Sequence, residues 1–376
     1  MQTPLFNLDD LSLLIVTSSC LLFVLILLVD KPRRRYNRWL SLFLICVALS
    51  SFNTVLYWSV PVKSQLDFLQ PHALFLLRTS LLLGAPALYI YVRSLIFEDY
   101  QFNRSQYHHF APALIHLLSV PFIYISMSAD SYLAGIQNFY FYIINPVFWL
   151  QTWLIHIVEL VYGFLAYKVL VEHKSRLMRV SSNLAGIDAS WLKLLILGFI
   201  GLWLLQAVAQ VFAEFGIGGL AHITSRVGTY FLFFLVTTLV VYSLTQAQVL
   251  TLKSPSVSED NPNQEYTEEQ VSRLFNTMEE REPFLDPDLS LIALSKITSI
   301  PQRTLSSIIN RHHGTNFFDY INGYRFKKAE NFLVGAAKDR NVLDIMIDSG
   351  FSSKSTFNRI FKKNSGMTPT QYRAQH

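Results

Sequence analysis

Charge is scarce in this sequence. Asp, Glu, Lys and Arg make up 15% of its 376 residues, against 51% hydrophobic, where a soluble domain carries roughly 25% charged. That deficit excludes a single large soluble fold. Cysteine is scarcer still: Cys20 and Cys46 are the two present, both inside apolar runs. They exclude a disulfide framework or a thiolate metal site and read as small core residues. Catalytic signatures are missing as well. The chain holds no helical HExxH pair, no GxSxG, no P-loop and no glycine-rich nucleotide fingerprint. Nothing therefore points to an enzyme, a cofactor or a metal. No obvious internal repeat occurs either, which weakens a transporter reading.

What is present is unevenly placed. Residues 1–252 hold 15 of the 31 basic and 11 of the 26 acidic residues, and the last third holds the rest. Seven apolar stretches fill the first part, near Leu11–Val29, Trp39–Val60, Pro71–Phe97, Phe110–Met127, Pro146–Val171, Trp191–Ala213 and Ile223–Gln246. Each approaches or exceeds the ~20 residues that cross a hydrocarbon core of about 30 Å. The expectation is an all-α protein whose residues 1–250 form a seven-helix transmembrane bundle, with the lipid bilayer as its first partner.

Basic residues orient that bundle. The first connection holds Lys31, Arg33, Arg34, Arg35 and Arg38, the third holds Arg104, and the fifth holds Lys174, Arg176 and Arg179. The even connections hold only Lys63. Positive residues stay in the cytoplasm, so the N-terminus is expected outside and the C-terminus inside a bacterial cytoplasmic membrane. Asp9 and Asp10 precede the first stretch and the basic cluster follows it, as in a stop-transfer segment rather than a cleaved signal. Tyr57, Trp58, Trp149, Trp153 and Trp191 fall near span ends and read as interfacial anchors.

Four ionisable residues fall at apparent membrane depth: Arg78, His116, His156 and Glu159. A charge there costs several kcal/mol unless paired or wet, which makes each a site candidate. His156 and Glu159 share a helix face, and Arg78 could pair with Glu159. Two readings stand: a structural pair that fixes helix register, or a pocket for a polar or anionic signal molecule.

Residues 251–265 are rich in Pro, Ser, Asn and acids and read as a solvated linker. A helix then begins behind Thr267, with Gln270 completing a capping box. Charge divides here. Residues 254–288 carry two Arg against ten acids, a net of −8, and residues 289–376 carry 13 basic against five acidic, a net of +8. A basic block behind an acidic one suits a tethered polyanion-binding domain; two oppositely charged faces docked together is the alternative.

Residues 266–376 hold two short-helix, turn, longer-helix patterns. The first is LSLIALSKITSIPQRTLSSIINRHHG. Pro301 suits a first helical position, Leu305, Ile308 and Ile309 face inward, and Gln302, Arg303, Ser306, Ser307 and Asn310 face out. The second is NVLDIMIDSGFSSKSTFNRIFKKNSGMTPTQYR. Gly350 serves the turn, Ser352 or Ser353 caps, and Phe357, Ile360 and Phe361 face inward. Lys354, Ser355, Asn358, Arg359 and Lys362 face out. A longer helix at about 316–334 follows the first pattern, its Arg325, Lys327 and Lys328 expected outward. This is helix-turn-helix logic.

The run from Ile345 to Arg373, with DYINGYRFKKAENFL before it, resembles the AraC-type regulators over about the last 90 residues. The resemblance implies two subdomains on one linker helix, with 301–311 and 353–364 as recognition helices in successive major grooves of double-stranded DNA. Met346 departs from the small alanine usual at that position. The family often forms homodimers, which makes a second copy a candidate partner, though no coiled-coil heptads occur here. Arg303 and Arg359 suit bidentate contacts to guanine, Gln302 and Asn358 suit adenine, and the lysines suit phosphate. The whole then reads as a membrane-bound regulator with an unknown signal. Its rivals are a receptor or carrier whose basic tail binds protein or lipid, and an intramembrane enzyme using His116, His156 and Glu159.

Overall fold

In a computed structural model, residues 7–29, 34–59, 62, 72–97, 100–126, 145–183, 190–245, 266–334 and 340–375 are described. The chain divides into two compact units, Met1–Leu170 with Ala189–Leu252, and Val171–Asp188 with Lys253–His376. The linker expected at 251–265 lies outside the described residues.

The first unit is built from α1 (Leu8–Val29), α2 (Arg34–Trp58), α3 (His72–Ile96), α4 (Ala111–Ser126), α5 (Pro146–Met178, shared with the second unit), α6 (Ser190–Glu214) and α7 (Gly218–Thr245). Among the described residues, six of the seven, all but α4, are long and apolar enough to cross a membrane. The expected fourth span, Phe110–Met127, coincides with α4, which follows a 3-10 turn at Arg104–Phe110; its last residue, Met127, lies outside the described residues. Packing runs α1 on α2, α2 on α3, α6 on α7 and α7 on α1. A Cβ at Gly198 would meet Leu235 at 2.6 Å, so the missing side chain sets how closely α6 approaches α7. At one end of the α1–α7 seam, Asp9 accepts from Arg226 at 3.0 Å and from the Tyr230 hydroxyl at 2.7 Å.

The second unit contains α8 (Glu268–Arg281), α9 (Leu291–Thr298), α10 (Gln302–Ser307), α11 (Phe317–Val334), α12 (Val342–Asp348), α13 (Lys354–Ser365) and α14 (Pro369–Gln375). Local chemistry sets their ends. The Thr267 hydroxyl accepts from the Gln270 N–H, and the Gln270 side chain accepts from the Thr267 N–H, closing the capping box. Ser290, Asn341 and Ser353 cap α9, α12 and α13, each side chain accepting one backbone N–H. Gly366 ends α13 at φ 78. Pro301 is the N-cap of α10, one position earlier than its sequence suggests.

Two hydrophobic cores result, and α11 serves both. Phe317, Tyr320 and Ile321 join Leu274, Met278, Leu294, Leu305 and Ile308 in one. Phe318, Ala329 and Leu333 join Ile345, Met346, Phe357, Ile360 and Phe361 in the other. The first core also takes in Val180, which belongs to the connection after α5 and not to the C-terminal part of the sequence. Met346 is buried without disrupting its core.

Candidate nucleic-acid interface

Each pair of short helices is set by its turn. In the first, Ser299 takes the left-handed conformation at φ 54 between α9 and α10, and the Ser295 hydroxyl donates to the Ile300 carbonyl across the corner. In the second, Gly350 sits at φ 84. A Cβ there would meet the Phe284 carbonyl oxygen at 2.5 Å and Leu285 Cα at 2.9 Å. Glycine is therefore required twice, by its dihedral and by close backbone approach.

The longer helix of each unit exposes part of one face. On α10, Arg303 is exposed, while Gln302 and Ser306 are half-buried. The helix continues as a π turn over Ile308–His312, where the Asn310 amide, itself half-buried, donates to the Ser306 hydroxyl at 3.2 Å. Ser307 is a correction: it is 4% exposed and lies inside the unit. It follows Thr304 by three residues on α10, and Thr304 is buried too, so the inward face is wider than the apolar residues alone mark.

On α13, Lys354, Ser355, Arg359 and Lys362 are exposed and Asn358 is half-buried. The Arg359 guanidinium lies over the Phe318 ring at 5.5 Å, so its aim is fixed from α11. Lys363 pairs with Asp319 at 3.0 Å. The Tyr372 hydroxyl of α14 donates to Glu330 at 2.7 Å and ties the end of the chain to α11.

Arg325 is a second correction. The sequence pattern placed it in solvent; it is 2% exposed. Its guanidinium donates to the carbonyls of Phe284 at 2.7 Å, Asp286 at 2.7 Å and Ser182 at 3.2 Å, and to the Ser182 hydroxyl at 3.0 Å. Burial lowers its pKa to about 10, opposed by Asp286 and Asp288, so the charge persists at neutral pH. Lys328, also expected outward, is half-buried and pairs with Glu282 at 2.6 Å.

In the other unit, Arg78, His156 and Glu159 line one cavity of about 530 Å³, together with Tyr57, Trp58 and Gln210. Arg78 donates to the Thr152 hydroxyl at 2.9 Å, and His156 Nδ1 lies 3.5 Å from Glu159. His116 is not among the lining residues; its ring bonds the Thr79 hydroxyl at 3.1 Å. Tyr57 and Trp58, expected as interfacial anchors, contribute to the cavity wall, and the Trp153 indole donates to Glu214 at 2.9 Å. Ser51 Oγ and Asn53 Oδ1, in the same wall, are buried with no hydrogen-bond partner among the described residues. No group of His, Cys, Asp and Glu among the described residues could hold a metal ion.

Comparison with known proteins bears on the basic unit alone. Residues 294–375 match a helix-turn-helix domain family of the AraC type. An 86-residue segment is 35% identical to an uncharacterized HTH-type transcriptional regulator of Staphylococcus aureus strain COL, and 90 residues are 32% identical to the B. subtilis HTH-type regulator YtdP. These segments cover 23% and 24% of this chain, and 11% of each relative. A further 69 residues, 18% of this chain, are 38% identical to the probable transcription factor PqrA of Proteus vulgaris, over 55% of that protein. No solved structure matches the chain.

Proposed function

We propose that this protein is a membrane-anchored one-component transcription regulator. It binds specific double-stranded DNA through α10 and α13, and its apolar helices hold it in the bilayer and receive a signal. One observation carries the reading: two helix-turn-helix units are built on the single helix α11, each presenting an exposed arginine, and this stretch matches a helix-turn-helix family. Bidentate arginine contacts to guanine discriminate by roughly 1–3 kcal/mol each.

Membrane anchoring rests on α1–α7. Leu22, Leu25, Leu150, Phe164, Leu194 and Phe234 are 61–64% exposed, a surface suited to lipid and costly in water. With the basic connections inside, the second unit lies in the cytoplasm beside the chromosome. The cavity is the proposed receptor site. Unpartnered Ser51 and Asn53, with Arg78 and the His156–Glu159 pair, suit a small polar or anionic molecule.

The test uses full-length protein in nanodiscs and the duplexes it selects from a random library. Arg303→Ala with Arg359→Ala should remove sequence preference while salt-sensitive, unspecific binding remains. Unchanged selection by the double variant would refute the assignment of α10 and α13, and binding to anionic lipid without DNA preference would favour the lipid-binding rival. For the cavity, Arg78→Gln should abolish the response of a reporter gene to its inducing condition. A normal response would remove the cavity from the mechanism and leave the DNA reading standing.

A further inference from the structure

The connection after α5 reads MRVSSN over residues 178–183. It is built into the second unit. Val180 is 4% exposed within the first helix-turn-helix core, and Met178 packs against the second core. Ser181 and Ser290 form an antiparallel bridge. Around it the Leu291 N–H donates to the Val180 carbonyl at 3.0 Å, and the Ser182 N–H donates to the Leu289 carbonyl at 3.3 Å.

Ser182 is 1% exposed and uses all its polar groups. Its hydroxyl donates to the Leu289 carbonyl at 2.7 Å and accepts from Arg325 at 3.0 Å. Its carbonyl accepts from Asn322 and Arg325, each at 3.2 Å. Asn183 adds a side-chain bond to Asp288 at 2.9 Å. A loop that merely drifts past does not bury a valine and saturate a serine. Remove the segment, and the Arg325 Nη1 keeps only a 3.4 Å contact to Asn322. A buried guanidinium tolerates that poorly.

We propose that residues 178–183 are a docked strut. The surface formed by residues 284–291 and α11 is its receptor, and the strut holds the two helix-turn-helix units in one relative orientation. Because the strut continues directly from α5, a shift of that helix changes the alignment of α10 with α13. The docked form is the one competent for DNA. The alignment claim rests on the reading of α10 and α13 as DNA-contacting helices; the docking does not.

Full-length protein in nanodiscs tests both parts. Asn183→Cys with Asp288→Cys should form a disulfide on mild oxidation, with single-cysteine controls correcting for Cys20 and Cys46. Failure to cross-link overturns the docking. Spin labels at Arg311→Cys and Asn364→Cys should give one narrow distance distribution, broadened by Val180→Asp. Should Val180→Asp misfold, Ser182→Gly decides, since it removes only the hydroxyl bonds to Arg325 and Leu289. An unchanged distribution in the folded variant refutes the strut. On the selected duplex, the folded variant should lose at least tenfold in affinity for the full site while keeping its affinity for a half-site. Equal loss at both refutes the alignment role. If the wild type selects no duplex, the DNA reading fails, and the cross-link and distance results still report on docking.

Discussion

The two helix-turn-helix units differ in how they hold their outward helices. The first relies on hydrophobic depth. Helix α10 is short, runs into a π turn, and is backed by α8 as well as α9. The second relies on fixed polar and aromatic contacts: Arg359 over Phe318, Lys363 on Asp319, and a glycine turn pressed against the backbone at Phe284. Their chemistry differs in parallel. Helix α10 and its π turn present Arg303 and Arg311 among amides and hydroxyls, whereas α13 presents Lys354, Arg359, Lys362 and Lys363. On the proposed DNA-binding reading, the contrast assigns base discrimination mainly to the first unit and phosphate attraction mainly to the second.

The largest effect should come from what the units share. Arg325→Ala leaves a cluster of buried carbonyls and the Ser182 hydroxyl without their donor, and a loss of roughly 3–5 kcal/mol is expected. Chemical denaturation of the detergent-solubilised protein measures it. Loss of one unit alone, seen by hydrogen exchange, would show that Arg325 does not join them.

Next come two glycines. Gly350→Ala in the second unit meets backbone at 2.5 Å with φ at 84, for an expected cost of about 3 kcal/mol. Gly314→Ala closes the first unit at φ 63 with open space around it, so about 1 kcal/mol is expected. Equal costs would mean that the second turn yields as easily as the first.

The division of labour is tested by salt. Lys362→Ala should lower the slope of log affinity against log salt by about one without changing the selected sequence. Arg303→Ala should relax one position of the selected sequence, at roughly 1–3 kcal/mol, and hold the slope nearly constant. Reversed behaviour would overturn the contrast.

The smallest effect is a response to acid. His313 has its pKa lowered from 6.5 by burial and by His312, so the fold favours the neutral ring. Its contribution is intact above 6.5 and is lost as pH falls through the lowered value. Residues 341–375 contain no histidine. Mild acid should therefore speed hydrogen exchange in the first unit and not in the second, and His313→Gln should remove the difference.

Much of this was readable from the chain. The caps at Thr267 and Ser353, the turn at Gly350 and the stop at Gly366 are written in local residue types, because each satisfies its own neighbours. The two inward faces followed from apolar spacing. Arg325, Ser307 and the 178–183 strut did not. Arg325 is stabilised by carbonyls contributed from residues 182 and 284–287, and no local pattern announces a long-range cluster of backbone acceptors. Ser307 was misplaced because the buried face of α10 also takes in the polar Thr304 and Ser307, which apolar spacing does not mark. The cavity was half legible: Arg78, His156 and Glu159 stood out as charges among apolar residues, while Ser51 and Asn53 looked ordinary.

Helix α11 sends Phe317 toward one core and its immediate neighbour Phe318 toward the other. It therefore acts as a ruler with its gradations in register. A single residue inserted after Tyr324 would turn the far half by about 100° and lengthen the rod by about 1.5 Å, taking Ala329 and Leu333 out of register with Phe318 in the second core. The length of this one rod is thus as much a part of the design as any side chain buried along it.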